Sequence, residues 1–556
     1  MSQNISRRGF MSGAAAMGAL AAMSGLAGCA QPSKRSADSA SSASDSTSQN
    51  WLGSEPTISD DSISDTKTAD VVVVGAGTGG LFAACAAAES NASVIVLEKG
   101  DAPGAVKDDL GAVNSALQKE DGTVIDKDAM SLDMYRYSNG HMNLSLFNRW
   151  YESSAETIDW YTNLLKTKNV TMWHEAAIGD VEGSMPHWAT GHSPAWPEDN
   201  SLSGGKVLSE YATQHNAQIL YSTPMVKLVT ENGKVTGVIA KDENGAYIKC
   251  SASKGVVIAC GGYASNKDMI KALQPDVDKM RSSTWAPTSN SGDGIKACLW
   301  AGAAMDPVHS AMFFDRCAVA PTDVSGVDTK GSQFWMGSQP WLKVNLNGER
   351  FTNEGTGVYD WILHAALNQP NNTYCSVFDS NWKTYAQQFV MHGCSRLYPF
   401  ENGAPSNHDI PFAEQQLNTL IDKGIAVKAD TIAELAGALN IPADTFTATV
   451  SRYNDCYAQG KDADFGKESY RLSKLDTPPY YGVRQAGSLL CTLDGIRINE
   501  KCQALKEDGT VIEGLYVTGN DSGCYFDTSY PNQATGLACG RTVTFGRQIG
   551  KELAQA

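Results

Sequence analysis

The chain has 556 residues, of which 42% are apolar and 19% are charged, so it is long and apolar enough to bury a sizeable core. A chain of this length is expected to fold as two packed domains. Its formal charge of −17 and isoelectric point of about 5.0 exclude sequence-independent nucleic-acid binding, which requires cations that neutralise phosphates.

Residues 1–29 have the layout of an export signal. Arg7 and Arg8 precede an apolar run of small residues that ends in Leu-Ala-Gly-Cys at Cys29. The run is shorter than the ~20 residues that a membrane-spanning helix needs. The arginine pair indicates a twin-arginine signal, and the last four residues resemble a bacterial lipobox. We predict an exported protein, lipid-anchored at Cys29, at the outer face of the cytoplasmic membrane or in the periplasm.

Residues 30–68 are rich in Ser, Asp and Thr and contain few large apolar side chains. Such a composition cannot bury enough surface to order itself, so we predict a disordered tether. No later stretch of the sequence is apolar and long enough to predict a membrane span.

A nucleotide-binding motif follows the tether. Val71–Val74 is a continuous β-branched run, typical of a strand buried on both faces, and a second strand, Ser93–Leu97, ends at Glu98. Between them, before an alanine-rich helix, lie three glycines with GxGxxG spacing: Gly75, Gly77 and Gly80. Glycines permit a tight turn and a close approach to a pyrophosphate, and the acid accepts a hydrogen bond from a ribose hydroxyl. The motif therefore predicts a bound dinucleotide.

The later chain favours FAD over NAD. The segment "STPMVKLV" around Val226 looks like the strand with which flavoproteins hold the adenine, and Gly255–Ala259 predicts a buried strand before Gly261 and Gly262. Near the C-terminus, "GLYVTGNDSG" predicts another strand that runs into a turn. A nucleotide domain that opens near the N-terminus and closes at the C-terminus is typical of two-dinucleotide-fold FAD proteins.

Further segments carry a family resemblance. They are "GAVNSAL" (Gly111–Leu117), "SGDGIKACLWAGA" (Ser291–Ala303), "NLNGERFTNE" (Asn345–Glu354) and "GRTVTFGR" (Gly540–Arg547). Together they resemble the FAD-dependent fumarate reductase and 3-ketosteroid dehydrogenase superfamily, over nearly the whole chain after Ala69. The resemblance implies an α/β fold: a two-dinucleotide-binding, Rossmann-like FAD domain (residues 69–300 and 481–556) with an inserted α+β capping domain (301–480).

The resemblance also implies the cofactor contacts. The segment from Ser529 to Arg547, which carries no charge before Arg541, passes the flavin ring, and the helix N-terminus near Gly536–Ala538 stabilises negative charge there. No attachment histidine is evident before Gly111, so we predict non-covalent FAD. The predicted FAD-binding residues are Gly75, Gly77, Gly80, Glu98, Asn114, Val226, Gly262, Asp293, Asn520, Gly536 and Ala538.

The substrate positions depart from the fumarate reductase pattern. That family binds a dicarboxylate with arginines and histidines, because charged, bidentate hydrogen bonds recognise carboxylates. The residues that match those positions here are uncharged: Phe314, Tyr359, Cys491 and Gln533. The segment matched to the family's glutamate–arginine relay, "QFWMGSQPW", contains neither residue type. We therefore predict that fumarate is a poor substrate.

The replacements suit an uncharged or monocarboxylate substrate that contains a ring. They are Phe313, Phe314, Phe334, Trp335, Tyr359, Cys491, Tyr525, Tyr530 and Gln533, although several of these aromatic residues are equally consistent with core packing. Arg316 and His309 are the cations in reach of a monocarboxylate. Tyr359, which matches the catalytic arginine, is the predicted proton donor. Tyr530 is its rival, since it resembles the tyrosine with which ketosteroid dehydrogenases hold a carbonyl.

Three functions stay open. The first is an exported reductase of an activated C=C bond (enone, enoate or unsaturated lactone), like cardiac glycoside reductase and the urocanate- or cinnamate-type respiratory reductases. Its electrons would come from a separate cytochrome or flavin carrier at the membrane, because the sequence contains no CxxCH haem motif and no FMN-attachment motif. The second is a 3-ketosteroid dehydrogenase that introduces a C=C bond. The third is a non-catalytic flavin electron-carrier lipoprotein.

Cysteines and histidines do not predict a metal site. No pair of cysteines has CxxC spacing, and the separation of His187 and His192 is a poor helical spacing for two ligands of one metal. We expect most of the cysteines to be buried thiols.

Overall fold

The computed structural model describes residues 51–175, 186–326, 331–355, 359–389, 397, 408–526 and 530–556. The predicted signal, with Arg7, Arg8 and Cys29, and the tether as far as residue 50 lie outside the described residues.

The strands are β1 (Ile63–Val74), β2 (Val94–Leu97), β3 (Leu110–Gly111), β4 (Thr171–His174), β5 (Gly191–Ala195), β6 (Gln218–Leu220), β7 (Met225–Glu231), β8 (Lys234–Lys241), β9 (Tyr247–Ile258), β10 (Arg281–Thr284), β11 (Ala311–Val319), β12 (Ser332–Gln333), β13 (Leu342–Asn345), β14 (Tyr374–Asp379), β15 (Ala426–Ala429), β16 (Tyr480–Thr492), β17 (Gln503–Leu505) and β18 (Val511–Val517).

The α-helices are α1 (Thr78–Glu89), α2 (Ala116–Asp121), α3 (Lys127–Tyr137), α4 (Leu144–Lys166), α5 (Gly204–Gln214), α6 (Lys267–Leu273), α7 (Pro275–Met280), α8 (Asp293–Trp300), α9 (Tyr359–Ala366), α10 (Trp382–Gln388), α11 (Ile410–Asp422), α12 (Ile432–Leu439), α13 (Ala443–Ala458) and α14 (Leu537–Gln555). Short 3-10 helices span Asp60–Ser62, Trp335–Ser338, Pro370–Asn372, Ser469–Arg471 and Gly519–Asp521.

The first sheet is built around parallel strands in the order β18-β9-β1-β2-β6, with β17 antiparallel at one edge and the β7–β8 ribbon attached to β9. At its centre Val71–Val74 is buried throughout, as the β-branched run predicts. The carboxyl ends of these parallel strands meet at one edge, where ligands of such sheets bind.

The ordered fold starts earlier than predicted. β1 begins at Ile63, inside the predicted tether, because Ile63 to Thr68 pair in parallel with Tyr247 to Ser251 of β9. The polar side chains of this stretch face solvent while its backbone bonds to the sheet. The tether prediction over 30–68 is therefore wrong at its C-terminal end.

The second sheet has the strand order β12-β11-β16-β14-β13, and β10 and β15 also pair with β16. Its pairs are antiparallel except that of β10 with β16. The long strand β16 starts at Tyr480, beside the predicted domain boundary, and leads back to the first sheet. The predicted boundaries at 301 and 480 stay a prediction.

A small third sheet, β3-β5-β4, lies beside the loop that precedes α14. The N–H of Trp188 donates to the carbonyl of Gln533, and the N–H of Gly111 donates to the carbonyl of Gly536. These bonds hold the segment before α14 against the third sheet and the residues that lead into β5. Within the described residues, no helix has the length and apolar character to cross a membrane.

Candidate active site

A cavity of ≈ 580 Å³ opens at the carboxyl edge of the first sheet, within the size range of ligand pockets. Its lining follows the ends of β1, β2, β9 and β18 and continues onto β11 and β16 of the second sheet. Among the predicted cofactor and catalytic residues, the lining includes Gly75, Gly77, Glu98, Asp293, Asn520, Gly536, Ala538, Cys491 and Tyr530.

The GxGxxG turn forms one end of this cavity. Gly75 has a φ of +103°, and a Cβ there would lie 2.3 Å from the carbonyl oxygen of Ala259. Gly80 does not line the cavity; it packs on the turn itself, where a Cβ would lie 1.9 Å from the carbonyl oxygen of Gly75. Gly77 differs, because a Cβ there meets no heavy atom within 4 Å and would enter the cavity. The turn thus leaves space for a phosphate group at the N-terminus of α1.

Glu98 lies at the end of β2, as predicted. Its Oε2 accepts the N–H of Ala76 at 2.7 Å, and its Oε1 accepts the N–H of Gly100 at 2.8 Å. Each carboxylate oxygen retains a second lone pair, so the side chain can still accept a ribose hydroxyl. The next residue, Lys99, pairs with Asp293 at 2.9 Å, and both residues line the cavity.

The helix N-terminus predicted near Gly536–Ala538 is observed. Gly536 caps α14 with a φ of +72°, a left-handed conformation that favours glycine. Its carbonyl accepts the N–H of Gly111, and both Gly536 and Ala538 line the cavity. This end of the cavity therefore combines backbone donors with the positive end of a helix dipole.

Besides Gly80, three predicted cofactor residues lie beside the lining rather than in it. Met225 and Thr223 line the cavity in place of Val226, and Gly261 lines it in place of Gly262. A Cβ on Gly262 would instead lie 2.4 Å from Oγ1 of Thr492. The third, Asn114, has a φ of +62° in the turn that precedes α2 and is not part of the lining.

Asp521 is a buried carboxylate that sequence reasoning missed. Its oxygens accept the N–H of Gly261 at 2.8 Å and of Gly262 at 3.4 Å, which holds the glycine turn after β9 against the turn after β18. Burial raises the pKa of Asp521 to about 6, although hydrogen bonds from Gly261 and its neighbours oppose the shift. The sequence signal that could have identified Asp521 is its position directly after Asn520, a predicted FAD-binding residue.

The cavity fits FAD along its length. A glycine turn and helix N-terminus at one end suit a pyrophosphate, and Glu98 suits a ribose. At the other end, Oγ1 of Thr535 is a buried polar atom on the cavity wall that finds no hydrogen-bond partner among the described residues. A flavin ring with polar edge atoms would satisfy such a group.

Beyond the end of the cavity that fits the flavin ring, near Thr535 and Gly536, the wall contains several aromatic side chains. Its lining residues are Trp285, Met312, Phe314, Arg316, Trp335, His408, Leu490, Cys491, Tyr530 and Asn532. Phe313 and Phe334 belong to the core instead: Phe313 fills the space above Gly487, and Phe334 stacks on Phe378 at 6.4 Å between ring centroids. Tyr525 is fully buried and does not line the cavity.

Of the predicted catalytic residues, Tyr530 and Cys491 line the cavity. Oη of Tyr530 accepts the N–H of Ala538 at 3.3 Å. Burial raises the pKa of Cys491 to about 11, so this thiol stays protonated at neutral pH.

Gln533 and Tyr359 are placed differently. Gln533 is buried but does not line the cavity, because its Nε2 donates to Oδ2 of Asp133, 3.3 Å away on α3. Tyr359 begins α9, and its side chain lies outside what the structure describes. The catalytic roles of both residues stay predictions.

Other polar side chains that the sequence singled out are held by local partners. Nδ1 of His309 lies 2.7 Å from Oδ2 of Asp494, and His309 does not line the cavity. His187 lies 3.0 Å from Glu175, and Nε2 of His192 lies 2.8 Å from Oγ of Ser115. The free cysteines in the described part of the chain are mostly buried, which confirms the expectation of buried thiols.

This fold and cavity define a flavoprotein of the two-dinucleotide-fold class. The FAD binding domain family matches residues 70–537, and the chain belongs to this family. Its cofactor is FAD, as predicted.

Similar proteins agree with this assignment. The chain is 29% identical to a vinyl phenol reductase of Lactiplantibacillus plantarum over 87% of its own length and 96% of that protein. It is 30% identical to a 3-oxosteroid 1-dehydrogenase of Mycobacterium tuberculosis over 58% of each. Among solved structures, the open conformation of a flavocytochrome c3 fumarate reductase superposes with a TM-score of 0.62, at 24% identity over 88% of this chain and 79% of that one. The predicted superfamily, α/β fold class and fumarate reductase-like enzyme class are confirmed.

Proposed function

We propose that this chain, an FAD-dependent oxidoreductase acting on CH–CH groups, reduces the activated C=C bond of an uncharged or monocarboxylate substrate that contains a ring. The observation that carries the proposal is the aromatic end of the cavity, where the described lining includes Trp285, Phe314, Trp335 and Tyr530 together with one arginine, Arg316. Flat aromatic walls fit a ring-shaped substrate and exclude water from it. The similarity to a vinyl phenol reductase, whose name denotes a ring-bearing alkene, supports this choice.

The same lining disfavours a dicarboxylate. Phe314 and Cys491, which match positions of the fumarate reductase clamp, line the cavity as uncharged side chains. Gln533, which matches a clamp arginine, is bonded to the carboxylate of Asp133. Among the residues that the structure describes, these clamp positions therefore offer no cation to compensate a second desolvated carboxylate.

The reaction needs a hydride and a proton at the two carbons of the C=C bond. FAD, when bound, supplies the hydride. Within the chain, a tyrosine hydroxyl supplies the proton to the other carbon: Tyr359 is the first candidate, and Tyr530, which lines the cavity, is the second. A phenol has a reference pKa near 10, so it is protonated at neutral pH and can donate.

We propose further that the protein is exported and anchored by lipid at Cys29. The twin arginines Arg7 and Arg8 and the lipobox-like end of the run support this assignment. Electrons then come from a separate cytochrome or flavin carrier at the membrane. Labelling the intact protein with a radioactive fatty acid tests the anchor, because a Cys29→Ala variant should lose the label.

A 3-ketosteroid dehydrogenase is the second candidate. The position of Tyr530 in the cavity wall favours it, since the resemblance gives such a tyrosine a carbonyl-binding role, and a 3-oxosteroid 1-dehydrogenase is among the similar proteins. It would run the chemistry in the opposite direction and insert a C=C bond. A non-catalytic flavin lipoprotein is the remaining alternative.

Anaerobic turnover with a reduced dye separates these functions. The purified holoprotein is given enones, aryl acrylates, vinyl phenols and unsaturated lactones with reduced methyl viologen, and separately saturated 3-ketosteroids with an oxidised dye. Our proposal expects dye oxidation with ring-bearing alkenes. Steroid-dependent dye reduction alone would replace it with the second candidate, and a lack of turnover in both arms would favour the electron carrier.

A further inference from the structure

Arg316 places a guanidinium group in the wall of the aromatic part of the cavity. It comes from β11, is 1% exposed, and its Cζ lies 3.8 Å from the centroid of the Trp335 ring and 4.9 Å from that of Phe314. The other described lysines and arginines in the lining are Lys99, which pairs with Asp293, and Lys107, whose charge reaches the Cys491 thiol. A guanidinium stacked on an aromatic face directs its N–H groups along its own plane rather than into the ring.

The orientation of this guanidinium is set by a hydrogen-bonded chain. Nε of Arg316 donates to Oγ of Ser338 at 2.9 Å, and Oγ of Ser338 donates to Oδ1 of Asp315 at 2.5 Å. Ser338 ends the 3-10 helix that begins at Trp335, so one short element supplies both the stacking ring and the bonding hydroxyl. Asp315 and Ser338 are both buried, at 2% and 8% exposure.

The carboxyl group of Asp315, at the end of this chain, is buried close to a second cation, Lys343. Asp315 is fully buried, which raises its pKa, while the charge of Lys343, the bond from Ser338 and the charge of Arg316 oppose that shift. Lys343 is itself buried and its Nζ donates to the carbonyl of Gln339 at 2.8 Å. Burying a charged group costs folding free energy unless the group is paired and hydrogen-bonded. The buried charges of Asp315 and Lys343 therefore restrain the position of the Arg316 side chain.

We propose that Ser338 and Asp315 are positioning residues for Arg316, and that Arg316 selects a substrate whose aromatic ring and C=C bond carry one carboxylate. The inference rests on the proposed function and narrows its substrate class from uncharged or monocarboxylate to aryl acrylate. An arginine with a fixed guanidinium plane recognises a carboxylate through paired N–H···O bonds, whereas a neutral alkene gains only ring contacts. Trp335 and Phe314 then hold the aryl ring beside the same arginine.

A matched pair of substrates isolates the carboxylate. 4-Hydroxycinnamate and 4-vinylphenol have the same ring and the same C=C bond and differ in the carboxylate alone. Their saturated products, 3-(4-hydroxyphenyl)propionate and 4-ethylphenol, allow binding to the holoprotein to be followed through the flavin absorbance without turnover. The wild-type protein should favour the carboxylate member of each pair.

The variants separate charge from orientation. Arg316→Gln should lower the selectivity ratio, kcat/KM for 4-hydroxycinnamate over that for 4-vinylphenol, by roughly 10- to 100-fold, the range for hydrogen bonds to charged groups. Ser338→Ala keeps the charge and should lower the same ratio by roughly 10-fold through KM, and Ser338→Thr, which restores a hydroxyl, should recover most of it. Arg452→Gln is the matched control, because Arg452 is half exposed and pairs with Asp464 away from the cavity. FAD content and the flavin spectrum report whether each variant is folded.

The outcomes are distinct. A wild-type protein that reduces 4-vinylphenol at least as well as 4-hydroxycinnamate overturns the inference and leaves the proposed reduction intact. An unchanged ratio in Arg316→Gln also overturns it. A ratio that falls in Arg316→Gln but not in Ser338→Ala overturns the positioning role of Ser338 and Asp315. If neither alkene nor any other ring-bearing alkene is reduced, the proposed function fails and the inference fails with it.

Discussion

Gly546 of α14 lies against the backbone of Gly79 at the start of α1: a Cβ on Gly546 would come within 2.3 Å of the Gly79 carbonyl oxygen. Gly550 meets Ala83 in the same way, at 2.2 Å. Glycines at these positions let the C-terminal helix approach the helix that begins at the nucleotide turn. The first turns of α1 are therefore packed against the middle of α14.

Replacing Gly546 with alanine should destabilise the protein. The added methyl group meets backbone that cannot rotate away, and overpacking of this kind costs about 1–3 kcal/mol. The control is Gly437→Ala in α12, where a Cβ meets nothing within 4 Å and the helix should gain up to about 1 kcal/mol. Urea unfolding of both holoproteins measures the difference, and equal stability of the two variants would contradict the close packing.

Replacing Gly77 with leucine should abolish FAD binding while the apoprotein still folds. Gly77 has a φ of −98°, which any residue adopts, so the effect comes from the side chain that enters the cavity and not from backbone strain. Gly77→Ala should reduce FAD occupancy less than Gly77→Leu. The measurement is the FAD released on denaturation per mole of chain. Full FAD occupancy in Gly77→Leu would show that the pyrophosphate does not lie at this turn.

Removing the hydroxyl of Tyr359 should slow turnover by roughly 10²–10⁴-fold, the range for general acid catalysis. Flavin reduction by the external dye should be unchanged, because that step precedes proton transfer to the substrate. Tyr359→Phe and Tyr530→Phe are compared in single-turnover reoxidation by a ring-bearing alkene. Normal turnover in Tyr359→Phe with an inactive Tyr530→Phe would transfer the proton role to Tyr530.

Acidity should stabilise the protein through Asp306. Burial raises its pKa from 3.8 to about 6, with the nearby charge of Asp494 adding to the shift and hydrogen bonds from Cys524 opposing it. The folded state therefore holds this proton more tightly than the unfolded state, so stability is lost as pH rises through about 6, by at most about 3 kcal/mol for the group. Asp306→Asn should lack this loss.

Unfolding in urea at pH 5.0 and at pH 7.5 measures the effect of Asp306. The change in unfolding free energy between the two pH values should be smaller in Asp306→Asn than in the wild type. Asp508→Asn is the control, because Asp508 is exposed and bonds only to the neighbouring Thr510. Parallel pH profiles for the wild type and Asp306→Asn would refute the raised pKa.

Local features of this fold are predictable from the sequence, and the direction of side chains is not. The run Val71–Val74, the glycine turn and the cap at Gly536 each depend on neighbours within a few residues. Whether Val226 or Met225 faces the cavity depends on the pleat of β7. Adjacent residues of a strand face opposite sides, and the sequence does not determine which of these two faces the cavity.

Long-range contacts decide the remaining cases. Gln533 turns away from the cavity because Asp133, 400 positions earlier, accepts a hydrogen bond from its amide. Arg316 acquires its orientation from Ser338, which lies on a different element. No spacing pattern in the sequence predicts these two contacts.

The most direct test of the central claim compares fumarate with ring-bearing alkenes on the wild-type holoprotein. Reduced methyl viologen supplies electrons anaerobically, and kcat/KM is measured for fumarate, for the best aryl acrylate and for the best enone. The account predicts that fumarate is slower than the best ring-bearing alkene by roughly two orders of magnitude or more, since the matched clamp positions Phe314, Cys491 and Gln533 offer its second carboxylate no arginine. Fumarate reduction at a rate that rivals the best ring-bearing alkene would contradict it.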